Sequence, residues 1–224
     1  MAIVVRPLPS VTWDALASLF REGGDPRWCG RQYWRLRSKD FGAAKVPELR
    51  ERLRAQPVNT DHDEGGEAGD PPGLVAFDGE RAVGWVSLGP RDVSERIVRS
   101  RVIPKIDDRP VWSIVCFAVS SNARGQGVGR ARLEAAVEFA AARGVDTLEA
   151  YPVVVDAGQE IHPDSTFMGT LPMFERAGFV GVAARASDPS SARTRVVVRR
   201  DLRAASPSDV DPPVDSRTSR SLTI

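Results

Sequence analysis

The sequence predicts a mixed α/β fold of the α+β kind: a mostly antiparallel sheet flanked by helices, with one parallel crossover. Three observations carry this. Residues 111–119 form a nearly continuous apolar run, the pattern of a central strand buried on both faces. The run leads into Arg124-Gly125-Gln126-Gly127-Val128-Gly129-Arg130, a glycine-rich turn that opens a helical stretch over 127–143. Asp78-Gly79 separates two strand-like runs, 74–77 and 81–88, and signals a hairpin.

The remaining elements follow in chain order. Residues 3–6 read as a short strand ended by Pro7 and Pro9. Thr12 is placed to cap a helix with Asp14 in its first turn and Leu16, Leu19 and Phe20 along one side. Residues 26–39 are dense in aromatics and arginine, and 47–55 read as a helix with proline at its start. The polar, Gly- and Pro-rich stretch 56–73 is expected to be a mobile loop. One helical turn is expected at 93–98. The helix after the glycine turn carries Leu133, Ala136, Val137 and Ala140 at i, i+3, i+4, i+7, with Gly144 as its stop. Residues 147–155 read as the next strand, 171–177 as a short helix stopped by Gly178, and 194–200 as a final strand. Residues 204–224 have little apolar content and read as a disordered tail, leaving one domain over 1–203.

Composition excludes several classes. The 224 residues carry a net charge of +1, so no bulk charge favours nucleic acid or an anionic membrane. The longest apolar run is too short to span a bilayer, and the N-terminus lacks the features of a signal peptide. Two cysteines, Cys29 and Cys116, make no disulfide framework, so a reduced, cytoplasmic setting is expected. Asp61-His62-Asp63-Glu64 resembles a metal site in composition only, and no metal is expected.

A strand that ends in a glycine-rich turn and feeds a helix is built to hold an anion. The first N–H groups of a helix lack intrahelical partners, and the helix dipole adds positive charge there. A kinase-type P-loop is excluded, because Gly129 is followed by Arg130-Ala131 instead of Lys-Ser/Thr. A dinucleotide fingerprint asks for G-x-G-x-x-G, whereas Gly125, Gly127 and Gly129 give G-x-G-x-G. Glu149 lies at a suitable distance for a ribose contact, which keeps an NAD(P)-binding oxidoreductase open as an alternative.

Arg124-Gly125-Gln126-Gly127-Val128-Gly129 also resembles the Arg/Gln-x-x-Gly-x-Gly/Ala motif of the GNAT acetyltransferases. The strand, Arg-Pro and helix at the start, Val83-Gly84-Trp85-Val86, and Phe174-Glu175-Arg176-Ala177-Gly178-Phe179 are similar to further family elements in family order. The resemblance covers most of residues 2–202. It implies a sheet with splayed central strands, acetyl-coenzyme A as donor, and direct acetyl transfer to an amine in a ternary complex. The motif residues Arg124, Gly125, Gln126, Gly127, Val128, Gly129 and Arg130 would hold the pyrophosphate. Phe117, Ala118 and Val119 would line the pantetheine arm and supply a backbone N–H to the thioester carbonyl. Members often dimerise, so a homodimer is compatible with it.

The sequence departs from the family where acid and base are usually found. Ser113 stands at the place of a glutamate base, Phe174 at that of a tyrosine acid, and Phe167 at that of a common asparagine. A catalytically silent acyl-coenzyme A binding module is therefore a second alternative. Glu149 and Tyr151 alternate onto one face of the strand bordering the gap and are the candidate base and acid. The plainer reading pairs Glu149 with an arginine and packs Tyr151 in the core. Trp28, Tyr33 and Trp34 are candidates for the wall of an acceptor pocket for a small-molecule amine, against a reading as core packing. Cys29 as nucleophile and His162 as base, among Asp156, Glu160 and Asp164, are lesser candidates.

Overall fold

The computed structural model describes residues 3–8, 11–21, 26–56, 72–154, 166–183, 186–188 and 193–203. Its centre is a seven-stranded sheet with order β1-β2-β3-β4-β5-β9-β6. The strands are β1 (Ile3–Pro7), β2 (Leu74–Asp78), β3 (Arg81–Pro90), β4 (Trp112–Val119), β5 (Thr147–Ala150), β6 (Val180–Gly181) and β9 (Val198–Asp201). A separate pair joins β7 (Ala186–Asp188) to β8 (Arg193–Arg195). Among the described strands only β4 and β5 run parallel, connected through α6 (Val128–Ala141), and every other strand pair is antiparallel. The mixed, mostly antiparallel sheet is the fold the sequence predicts.

Alternation along the strands builds a core on each face. Leu74, Val86 and Leu88 face α6, whose Leu133, Ala136, Val137 and Ala140 complete that cluster. Val75 and Trp85 turn the other way, onto Leu16, Leu19 and Phe20 of α1 (Trp13–Arg21) and Leu53 of α4 (Val46–Arg54). Each of the leucine, valine and phenylalanine side chains contributes roughly 1.5–3 kcal/mol by leaving water. The Thr12 hydroxyl accepts the Ala15 N–H at 3.4 Å, as the cap reading requires. Gly84 lets α6 lie close to β3: a Cβ there would meet Arg132 Cδ at 2.7 Å and Val128 Cγ1 at 2.9 Å.

Several boundaries differ from the sequence reading. Residues 26–39 contribute two short helices, α2 (Pro26–Cys29) and the start of α3 (Ser38–Ala43), hidden by their aromatic content. The expected strand 147–155 stops at Ala150, because β4 diverges there and removes its hydrogen-bonding partner. The expected strand 194–200 is broken between β8 and β9. The predicted turn at 93–98 appears as a 3₁₀ turn and α5 (Glu95–Val98), and the helix near 171 as α7 (Leu171–Glu175). Most of the predicted loop 56–73, the tail 204–224, Asp61 to Glu64, and Asp156, Glu160, His162 and Asp164 lie outside the described residues.

Candidate active site

One irregularity in β4 organises the site. Across the β3–β4 ladder, Ser87 opposes Cys116 while Leu88 opposes Ile114, so Val115 is an extra residue. Such a bulge resets the alternation of side chains. Ile114 and Phe117 face the α6 side, whereas Val115 and Cys116 both face the opposite side. The bulge also bends β4 away from β5. Pairing between them is confined to Trp112↔Leu148, Ser113↔Glu149 and Ile114↔Ala150. Beyond it, among the described residues, β4 is paired only with β3, and the sheet is split.

The glycine turn lies at the end of this split. Gly125 and Gly127 have φ of 75° and 80°, a region that side chains other than glycine enter at a cost. Gly127 is the N-cap of α6, and no side chain caps that end. Its first N–H groups are thus available to an anion. A Cβ on Gly125 or Gly127 would meet nothing within 4 Å, so the space over the turn is open for a ligand. Val128 is buried and anchors the turn to the core. Arg130 is exposed and pairs with Glu134 at 2.7 Å, while Gln126 donates to the Asn122 carbonyl at 2.9 Å.

The unpaired edge of β4 carries Phe117, Ala118 and Val119. The Phe117 N–H points into the split and donates to the Phe167 carbonyl at 2.6 Å. Arg132, buried on α6, donates to the carbonyls of Val128, Trp85 and Ala118 and holds β4 against β3. Burial first, and then the charge of Arg31, push the Arg132 guanidinium down to about 9.

A cavity of about 790 Å³ opens on the other side of β4. Cys116 on β4 helps line it, and Trp28, Cys29, Tyr33, Trp34 and Phe167 supply aromatic and sulfur surface. Tyr33 stands edge-on to Trp34, Phe41 and Phe167 with centroids 4.9, 5.4 and 6.4 Å apart. Six arginines also line it: Arg31, Arg37, Arg96, Arg99, Arg101 and Arg195. Glu95 is the only acid among the described lining residues, and Arg37 and Arg99 lie 3.4 and 2.8 Å from it.

Glu149 and Tyr151 share one face of the chain, as alternation predicts, but in a closed network behind the cavity. Tyr151 donates its hydroxyl to Glu149 Oε1 at 2.6 Å and lies 2.8 Å from Ser113 Oγ. Arg91 donates to the same carboxylate at 3.1 Å and Arg199 at 2.8 Å; Arg199 also holds Asp107 at 2.7 Å. Both Glu149 and Tyr151 are fully buried, and neither lines the cavity. Burial, then the adjacent Glu149 charge, raises the Tyr151 pKa well above the ordinary phenol value. The Arg199 hydrogen bond holds Asp107 well below the usual carboxylate range. The expectation that Glu149 and Tyr151 face the acyl gap is thus met by a different arrangement. The carboxylate is taken up by two guanidiniums and a phenol. Phe174, at the place of the usual acid, is a core ring against Phe117 and Phe179.

The sequence reading missed Arg31, Arg91, Arg195 and Arg199. These come from distant parts of an arginine-rich chain, and only Arg31 lies in the stretch 26–39 that its aromatics singled out.

The site thus combines a split sheet, a glycine-rich helix start beyond the end of β4 and a cavity across the same strand. A sequence profile described as the Acetyltransferase (GNAT) family matches residues 31–161. The chain belongs to the GNAT acetyltransferase family. Its fold is shared with a GNAT-family protein from Desulfovibrio desulfuricans (17% identity, 90% of this chain and 100% of that one, TM-score 0.51). It is also shared with an N-acetyltransferase from Staphylococcus aureus Mu50 (14% identity, 91% and 100%, TM-score 0.52). A chain of the NatC complex bound to Gag peptide and CoA matches at 15% identity, 91% and 100% coverage and a TM-score of 0.50. No curated protein sequence matches. The dinucleotide alternative fails on topology, since β5 is followed in the sheet by antiparallel β9 and not by another parallel strand. Among the described residues no helix is long and apolar enough to cross a membrane.

Proposed function

We propose that the chain transfers an acetyl group from acetyl-coenzyme A directly to the amine of a small molecule. One observation carries this reading: β4 provides both the edge of the split, at Phe117 to Val119, and, one residue earlier, Cys116 on the cavity wall. Two ligands approaching from opposite sides would meet there, and placing them in contact supplies much of the rate. The cradle residues Arg124, Gly125, Gln126, Gly127, Val128, Gly129 and Arg130 would hold the pyrophosphate. Phe117, Ala118 and Val119 would hold the arm, and Trp28, Tyr33 and Trp34 would form the acceptor wall. The coenzyme A bound in the NatC structure supports this use of the fold. The donor supplies an activated thioester.

The acceptor must lose its ammonium proton, with an ordinary pKa of about 10.4. Six guanidiniums around the cavity disfavour a further positive charge, so they lower that pKa and the proton leaves to solvent without a dedicated base. In this reading Glu149 and Tyr151, the base and acid candidates, act as positioning residues for the β4–β5 junction. The engaged Phe117 N–H and the Phe residues at 167 and 174 favour one rival, a silent binding module.

The test is thermal shift with acetyl-coenzyme A, coenzyme A and NAD, followed by free-thiol release over a panel of amines. Ligand at a hundredfold its dissociation constant stabilises by about 2.7 kcal/mol. Stabilisation by NAD alone sinks the reading. Binding of acetyl-coenzyme A without thiol release from any amine establishes the silent module.

A further inference from the structure

We infer that the acceptor amine carries a carboxylate, and that Arg31 binds it inside the aromatic cavity. This rests on the acetyl-transfer reading above. Arg31 is only 5% exposed and lines the cavity beside Cys116. Its Nη1 donates to Cys116 Sγ at 2.7 Å, while Nε and Nη2 are buried with no hydrogen-bond partner. Burying donors unpaired is costly, and a guanidinium more so than a neutral group. Nε and Nη2 form one edge of the planar guanidinium, the two-pronged donor that fits the two oxygens of a carboxylate.

Two further observations point the same way. Trp34 Nε1, on the same lining, is likewise buried without a partner. The unpartnered buried polar atoms among the described lining residues are thus all donors, and an acceptor-rich ligand completes them. The charge of the lining, six arginines against one already paired glutamate, repels polyamines and other polycations and attracts anions. A chain of net charge +1 has gathered that excess at one place. Arg31 also holds a left-handed backbone, φ 62°, unusual for a residue with a side chain. Such strain persists where surrounding structure imposes it, and it is concentrated at ligand sites.

Full-length protein would be assayed for thiol release from acetyl-coenzyme A with the L-amino acids, their amides, the matching decarboxylated amines, aminoethyl phosphate and spermidine. Expected is a preference for at least one amino acid over its amide and decarboxylated amine of about tenfold to a hundredfold in kcat/KM. Arg31→Met should erase that preference while the thermal shift given by acetyl-coenzyme A remains. Amides or decarboxylated amines turning over as fast, or spermidine or aminoethyl phosphate turning over best, would overturn the carboxylate assignment. A second measurement needs neither turnover nor a folded variant. N-acetylamino acids should stabilise the wild-type protein where their amides do not, and equal shifts, or none, overturn the assignment. If no amine releases thiol, the acetyl-transfer reading fails, and the comparison of N-acetylamino acids with their amides still decides the role of Arg31.

Discussion

The two sides of β4 are built from different materials. On the side of the glycine turn, the polar groups on offer are main-chain N–H groups, those that open α6 after Gly127 and that of Phe117 on the edge of the split, held in place by φ angles and by a helix end. On the cavity side they are side chains: guanidiniums and aromatic rings drawn from 28–41, 95–103, 116, 167 and 195. A main-chain site tolerates changes of side chain and fails when the backbone is forced. A side-chain site does the reverse.

Substitutions should expose this difference. The largest effect is expected where both sides share a support. Glu149→Ala leaves Arg91 and Arg199 beside a buried void and should cost about 3–5 kcal/mol in chemical denaturation. It should weaken donor and acceptor alike. Gly127→Val forces a β-branched residue to φ 80° and should cost about 1–3 kcal/mol, with loss of the acetyl-coenzyme A thermal shift.

Tyr151→Phe should cost about 1 kcal/mol and also change the alkaline limb. The folded Tyr151 pKa is raised, so the stability it lends is complete below the unfolded value of about 10 and is lost as pH rises above it. The variant should show a shallower loss of stability above about pH 10. Its kcat profile near neutral pH should keep the wild-type shape, whereas a shifted limb there would restore Tyr151 as an acid. Trp28→Ala, at a side chain 59% exposed, should raise the acceptor KM and leave stability and the acetyl-coenzyme A shift unchanged. Smallest of all, Arg130→Ala keeps the main-chain N–H that Arg130 offers to the turn and removes an exposed side-chain pair with Glu134. It should leave the melting temperature unmoved and acetyl-coenzyme A binding nearly so.

This contrast explains what was legible in the sequence. The spacing of Gly125, Gly127 and Gly129 after an apolar strand is a local signal for a local structure, and the turn lies where that spacing puts it. The density of Trp28, Tyr33 and Trp34 was local too, and these rings do gather on one cavity. Alternation placed Glu149 and Tyr151 on one face, but their partners Arg91 and Arg199 lie 58 and 50 residues away from Glu149. No periodicity reports such pairing, least of all in a chain where arginine is common. The family resemblance implied a bulged, splayed fourth strand, but the residue that bulges, Val115, was hidden, because a bulge is a property of two strands in register and not of either alone. It cut β5 short and turned Cys116 toward the cavity.

Phe167 belongs to both sides at once. Its carbonyl takes the Phe117 N–H on the edge of the split, and its ring lies 6.1 Å from Trp34 in the cavity wall. A donor that claims the Phe117 N–H must displace that carbonyl, and the ring cannot stay indifferent to the move. Two ligands placed in this way would be thermodynamically linked: whatever factor the first imposed on the affinity of the second, the second would return to the first. Titrating either in the presence of the other should give one and the same coupling factor, and its sign tells which ligand prepares the place for its partner.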